Sequence, residues 1–319
     1  MVSRLKVFRH GDFPGGILMP SNTERRVALA TCSQWPNLNE DDALLVPALA
    51  DLGIEAVPVV WDNPQIDWSA FDAVVLRETW DYAERIQEFL DWAKAVTEVT
   101  HLINSLPAIH WSTDKHYLHD LAAAEVPVVP TSFIEPGGNR EWELPDSEEF
   151  VIKPAVSAGS RNTERYPKSD RTRADAHVQR LLAEGRSVMV QPYLASVDTV
   201  AETALLYFGG VFSHAARKGP LLLQAGSREL TGGLFLQETI DPRTPSEAYL
   251  LVGAAAMAVV EHHAGEVPVY ARVDLIEDDS GNPVVLEVEL VEPSTFLPTS
   301  QGAADRFAEG IRARLDGLR

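Results

Sequence analysis

Three acids and an arginine near the end of the chain have the types and the spacing to do chemistry. Arg272, Asp274, Glu287 and Glu289 lie in the stretch VYARVDLIEDDSGNPVVLEVELVEP, residues 269–293. Apolar residues alternate with polar ones on both sides of a centre rich in Asp, Ser, Gly, Asn and Pro, the pattern of two strands joined by a tight turn. With Ser280 and Gly281 centring the turn, Asp274 faces Glu287 and Arg272 faces Glu289. The period of two then puts all four on one face of the hairpin. Carboxylates placed directly opposite each other repel and weaken a ladder unless a cation sits between them. Three such oxygen donors beside an arginine suit Mg²⁺ holding a polyphosphate. A solvated face in a very acidic protein, with Arg272–Glu289 as a surface ion pair, fits the same residues.

Lysine usage sharpens the choice. Lys6, Lys94, Lys115, Lys153, Lys168 and Lys218 are the only lysines, and every other basic residue is Arg. Lys115 falls in the first turn of a predicted helix, 112–125, capped by Ser112 or Thr113. The helix dipole prefers an acid there; the mismatch costs roughly a few tenths of a kcal/mol and is reversed if a phosphate docks at that end. Lys153 closes a predicted strand, 149–154 (EFVIKP), where an exposed lysine is the ordinary alternative. The small-residue loop after it, with Ser157, Gly159, Ser160 and Arg161, can present backbone N–H groups to phosphate. His116 and His119 could share a helix face but lack a third ligand, which favours surface residues. Cys32 has no identifiable base partner and reads as a buried structural thiol.

The elements needed to position these groups follow in order. Strands are predicted at 27–32, 55–61 and 72–76, helices at 40–52 and 84–99, and 101–104 closes the unit. Such alternation implies a parallel sheet with ligands at its carboxyl edge. Two loops lie there, 33–42 and 77–82 (RETWDY), the second offering Arg77, Trp80, Asp81 and Tyr82. No glycine fingerprint follows the first strand, which argues against NAD or FAD. Further strands are expected at 126–135 and 188–194, a helix at 173–185, and a hairpin, 201–207 with 211–216, turning at Phe208-Gly209-Gly210. Arg217 and Lys218 then enter an irregular loop, 219–233, of the kind that is functional or disordered. Thr244-Pro-Ser-Glu247 reads as a capping box opening a helix, and a last helix starts at Gln301.

The totals set the class. With 319 residues and 45% hydrophobic content, two or three lobes of ordinary globular composition are expected. A net charge of −20 argues against nucleic acid and anionic membranes as partners. A single cysteine excludes an internal disulfide and fits a reducing compartment. The longest apolar run, AYLLVGAAAMAVV, is too short to span a bilayer. A cytoplasmic protein is expected, with residues 1–26 a loose extension and Met19 an alternative start to Met1.

In this order, Lys115, Lys153, a small-residue loop, QPYL, a polar strand, Asp274 and Glu287-Val-Glu289 resemble the ATP-grasp superfamily. The strings RETWDY, DKHYLHDLAAAEVPVVPT, FSHAARKGP and EVELVEPSTFL narrow the resemblance to the glutathione-synthetase-like branch and bacterial relatives that include the cycloserine-pathway cyclo-ligase. It covers nearly everything after Arg26. It implies mixed α/β and α+β architecture: a Rossmann-like pre-ATP-grasp domain at 27–111, a lid subdomain at 112–194 and a C-terminal subdomain at 195–319 that carries the metal site. By position, Lys115 and Lys153 resemble the lysines that contact ATP phosphates. Ser157, Gly159 and Ser160 resemble the loop that closes over them. Gln191, Pro192, Tyr193 and Leu194 match the hinge at adenine, and Glu202 the acid at ribose. Asp274, Glu287 and Glu289 match ligands for Mg²⁺, with Mn²⁺ an alternative, and Arg272 the arginine beside the transferred phosphate. Most relatives have Asn where this chain has Glu289.

The expected activity is ATP-dependent ligation. A small, amino-acid-like carboxylate becomes an acyl phosphate and is attacked by an amine or other nitrogen nucleophile, between molecules or within one. Arg217, Lys218 and Arg228 are candidates for orienting the carboxylate or acyl phosphate, and Arg77, Trp80, Asp81 and Tyr82 for recognising the rest of the substrate. Two rivals stand: a phosphotransferase that releases a phosphorylated product, and a nucleotide-binding module without chemistry. A homo-oligomer is compatible with the sequence, which carries no motif that sets oligomeric state.

Overall fold

Why the chain forms three separate sheets is visible in how its strands are patterned. The computed structural model describes residues 25–138, 141–220 and 239–318. The first strands are near-continuous apolar runs, as a sheet covered on both faces requires. β1 (Arg25–Thr31), β2 (Ile54–Val60), β3 (Ala73–Glu78) and β4 (His101–Ile103) form a parallel sheet in the order β2-β1-β3-β4. α1 (Leu45–Asp51) and α2 (Ile86–Thr97) are its crossovers. Val27 and Leu29 face α1, whereas Ala28 and Ala30 face α2 through Phe89 and Ala93. The Rossmann-like expectation holds, and Cys32 is a buried thiol at the end of β1.

Two short helices, α3 (Leu106–Ser112) and α4 (Tyr117–Ala123), lead to an antiparallel sheet of β5 (Ser132–Ile134), β6 (Glu149–Pro154), β7 (Glu164–Pro167) and β8 (Val188–Pro192), ordered β5-β8-β6-β7. α5 (Arg171–Ala183) covers one face of it with Val178, Leu181 and Leu182. After α6 (Ser196–Thr199), β9 (Glu202–Phe208) and β10 (Val211–Lys218) form the expected hairpin, whose Gly209 and Gly210 both adopt positive φ. β11 (Ile240–Arg243), α7 (Glu247–Ala264), β12 (Tyr270–Glu277), β13 (Pro283–Glu289) and α8 (Ala303–Gly317) complete the chain. The third sheet is antiparallel, ordered β11-β10-β9-β12-β13. α7 packs on it through Tyr249, Ala256 and Val260, while α8 lays Phe307 and Ile311 against the first sheet.

Three local expectations are corrected. The helix predicted over 112–125 is broken between α3 and α4. The Asp114 carboxylate accepts the His116 amide at 3.1 Å, and the Lys115 amide donates to Ala155 O at 3.1 Å, so the backbone is diverted from helical bonds. The strand predicted over 126–135 shrinks to β5, because Pro127 and Pro130 cannot donate to a ladder; Val128 keeps a single parallel bridge to Val285. α7 starts at Glu247 with Ser246 as N-cap and no capping side-chain bond, so Thr244 and Pro245 lie before the helix instead of forming a capping box. β7 was not anticipated. Residues 1–24 of the expected extension and 221–233 of the irregular loop, including Arg228, lie outside the described residues. Among those described, no helix is long and apolar enough to cross a membrane.

One side chain ties the first sheet to the third. Asn104, fully buried beyond β4, donates to Tyr270 O and Leu290 O, both at 2.9 Å, and accepts the Val269 amide at 2.8 Å. Removing it strands three buried backbone groups, each costing about 1–3 kcal/mol. Asn104→Ala is therefore expected to lower the unfolding free energy by about 3 kcal/mol or more in urea titration; a loss under about 1 kcal/mol would contradict this role.

Candidate active site

The acidic hairpin forms with the predicted pairing. Arg272 is opposite Glu289 and Asp274 is opposite Glu287. The route to that register differs. Glu277 pairs with Pro283 and Leu275 with Val285, and the register shifts between Asp274 and Leu275. The turn is held by Asp278, whose carboxylate accepts the amides of Ser280 and Asn282, both at 2.8 Å, and Gly281 supplies φ +81°. A one-residue bulge thus restores the facing acids.

Basic groups from several elements converge on this face. Arg272 grips Asp274 with two bonds, 2.9 and 3.0 Å, and also reaches Glu289 and Ser294 O. Lys218, at the end of β10, bonds Asp274 at 2.7 Å and Glu202 at 2.9 Å. Lys115 lies 3.0 Å from Glu287 and donates to Ser157 O at 2.9 Å. Burial alone would raise Asp274 and Glu287, but Arg272 and Lys218 hold the first below its ordinary value, and Lys115 and Lys153 the second. Glu289 goes the other way, to about 7: burial, with Glu287 and Asp274 close by, outweighs Arg272.

Lys153 differs from its neighbours. It is 8% exposed, and among the described residues its ammonium group forms no hydrogen bond or ion pair. Burial, reinforced by the Lys115 and Lys218 ammonium groups, lowers it against the pull of Glu287 and Glu202. It lines a cavity of about 330 Å³ between the second and third sheets. Lys115, Ser157, Gly159, Ser160, Gln191, Pro192, Tyr193, Leu194, Glu202, Lys218, Arg272, Glu287 and Glu289 line it as well. One part of the wall is apolar, with Val129, Val151, Val197, Ile276 and Leu286 around the β8 hinge. Gln191 there bonds Thr131 at 2.8 Å. A flat apolar slot leading to buried ammonium groups and acids suits an aromatic base with a polyphosphate tail.

Asp274, Glu287 and Glu289 offer only oxygen, the donor set of a hard divalent cation. As the side chains stand, each is engaged by Arg272, Lys218 or Lys115, and among the described residues no three acids converge as a ligand set. The donors fit such an ion by type and by shared face. Holding it requires these ion pairs to yield part of their bonding.

Several predicted substrate residues do not reach the cavity. Arg77 is fully buried, paired with Asp42 at 2.9 Å and donating to Pro293 O at 2.7 Å, so it joins the first sheet to the segment after β13. Asp81 accepts the Trp61 indole N–H at 2.9 Å and pairs with Arg85. Arg217 alternates with Lys218 along β10, points away, and is half-exposed 3.8 Å from Asp241. Trp80 does line the cavity, and Tyr82 is buried with the carboxyl of Glu292 close to its hydroxyl. Glu292, Ser294 and Phe296 are wall residues that strand alternation could not find, because β13 ends at Glu289. His116 takes no metal-binding role: its ring bonds Asp114 at 2.6 Å and Glu135 at 2.9 Å.

A family model described as the N-terminal domain of D-cycloserine synthetase DcsG matches residues 27–104. The chain is 41% identical to the cycloserine biosynthesis protein DcsG of Streptomyces lavendulae, over 91% of this chain and 98% of that protein. The crystal structure of D-cycloserine synthetase DcsG superposes with a TM-score of 0.84 at 39% identity, covering 91% of this chain and 99% of that one. At the level of fold, D-alanine–D-alanine ligase from Bacillus anthracis matches with a TM-score of 0.60 at 14% identity, covering 92% of this chain and 98% of the other. A RimK-domain ATP-grasp protein from Sphaerobacter thermophilus matches with 0.59 at 19%, covering 90% and 98%.

The buried Arg77–Asp42 pair gives a direct check on the corrected assignment. Arg77→Leu leaves Asp42 uncompensated and is expected to cost about 3–5 kcal/mol of stability in urea unfolding. Retained stability would return Arg77 to the list of ligand contacts.

Proposed function

Because the chain belongs to the DcsG family and has the ATP-grasp fold, we propose that it is an ATP-dependent carboxylate–amine ligase whose nucleotide lies in the cavity between the second and third sheets. The observation that carries this reading is Lys153, a buried lysine facing the cavity without a partner, beside Lys115 and Glu287. A desolvated ammonium group of this kind is strongly disfavoured unless an anion arrives. The carboxylate of a small amino acid attacks the γ-phosphorus of ATP and ADP leaves, giving an acyl phosphate. A nitrogen then attacks the acyl carbon, loses a proton and expels phosphate. The relative's name points to D-cycloserine, a ring closed through a C–N bond, as the first product to test; the nitrogen would then belong to the same molecule as the carboxylate.

Positioning and charge neutralisation do most of the work in such transfers. Lys115 and Lys153 receive phosphate oxygens, and the backbone at Ser157–Ser160 covers them from the end of β6. The hinge at Gln191, Tyr193 and Leu194 holds the base, and Glu202 the ribose. Arg272, fixed by two bonds to Asp274, faces the transferred group. Mg²⁺, or Mn²⁺ in its place, would be held by Asp274, Glu287 and Glu289 and would neutralise charge on the phosphate oxygens. In this reading residues 27–111 are the substrate domain, 112–194 the lid and 195–319 the catalytic subdomain.

Two outcomes are expected. Lys153→Ala weakens ATP binding ten- to about a hundredfold by calorimetry, the worth of one charge-assisted bond, about 1.5–3 kcal/mol. Asp274→Asn and Glu287→Gln each cut ADP release about a hundredfold or more, with thermal unfolding intact. A substrate labelled with ¹⁸O in its carboxylate should pass one label into the released phosphate. Phosphate without label would remove the acyl phosphate and with it the ligase.

A further inference from the structure

Each acid in the cavity has a basic partner except one. Asp274 is held by Arg272 and Lys218, Glu287 by Lys115, Glu289 by Arg272 and Glu202 by Lys218. Glu292 lines the same cavity and is 6% exposed, yet among the described residues no Lys, Arg or His forms an ion pair with it. The charge of Lys115, which stands outside ion-pair distance, and the neighbouring Tyr82 hydroxyl are the groups that favour its charged form. Its backbone is held as well: the Trp80 indole N–H donates to Glu292 O at 3.1 Å. Trp80 and Tyr82 follow β3, at the carboxyl edge of the parallel sheet, where open α/β sheets bind ligands. Glu292 follows β13, so the corner forms where the first sheet meets the third.

From this arrangement we propose that Glu292, braced by Trp80 and Tyr82, is the subsite for the ammonium group of a small amino-acid substrate. The proposal rests on the ligase reading above and adds to it the side chain that holds the substrate's amino group. A buried carboxylate is stable beside a cation and costly without one. Trp80 and Phe296 supply an aromatic wall that limits water, which strengthens a charge pair at this corner. Arg272 and Ser294 line the same cavity, so an amino acid seated on Glu292 has its carboxylate within the chamber of the transferred phosphate.

Calorimetry on the full chain loaded with Mg²⁺ and AMP-PNP, titrated with D-cycloserine and with its N-acetyl derivative, tests this. D-cycloserine should bind the wild type at least tenfold more tightly than Glu292→Gln, and the N-acetyl compound should bind both equally weakly. Tyr82→Phe, which frees the carboxyl without changing charge, should weaken D-cycloserine by a smaller factor, and it carries the test if Glu292→Gln does not fold. AMP-PNP affinity should be the same in wild type and variants. Equal binding of D-cycloserine to wild type and Glu292→Gln overturns the subsite, as does no binding to the nucleotide-loaded wild type. Loss of Mg²⁺–AMP-PNP affinity alone in the variant also overturns it, by making Glu292 part of the nucleotide site. Failure of AMP-PNP to bind the wild type is a separate result that brings down the ligase reading and the subsite with it.

Discussion

Asp274 and Glu287 stand directly opposite each other on adjoining strands, and they share a sheet because cations from two other elements and from β12 itself stand against them. Facing carboxylates destabilise a ladder on their own. β10 supplies Lys218, the turn between α3 and α4 supplies Lys115, and β12 supplies Arg272 two residues before Asp274. Folding therefore assembles a desolvated patch of alternating charge, and β6 adds Lys153 to it without an acid of its own.

That patch needs a rigid frame, because buried charges tolerate little displacement. The segment after β13 is pinned to the first sheet in several ways. Asp41 accepts the amides of Thr295, Phe296 and Leu297 at 3.0, 2.7 and 2.6 Å, and Arg77 holds Pro293 O. Phe296 is fixed there in the left-handed region, at φ +51°, a conformation bulky residues adopt only when surroundings over-determine it. Tyr270 adds a bond from its hydroxyl to Leu76 O at 2.9 Å. The parallel sheet thus serves the site as a clamp on its wall, in addition to contributing Trp80 and Tyr82.

Much of this was legible in residue order. Alternation along β12 and β13 announced the facing acids, and the small-residue loop after Lys153 lines the cavity beside them. The hinge string QPYL took its place in the cavity wall as anticipated. Arg77 misled because a charged residue at a strand's carboxyl end looks like a ligand contact. Its burial against Asp42 depends on a helix entry 35 residues earlier and on Pro293, 216 residues later. Arg217 misled for a simpler reason: adjacent residues on a strand point to opposite sides, and only Lys218 turned inward.

The sequence by itself determined most of the elements and the facing acids of the hairpin, because both follow from local periodicity. Even there a bulge between Asp274 and Leu275, invisible in the pattern, offsets a turn that closes on Asp278 and Asn282 around three residues where two were expected. Tertiary structure alone decided which charges are paired. Asp274 finds Lys218 56 residues away, and among the described residues Glu292 is left without an ion pair. Pairing at such separations depends on which strands lie side by side and on how deeply each group is buried. Those properties belong to the packed chain, and no short stretch of it carries them.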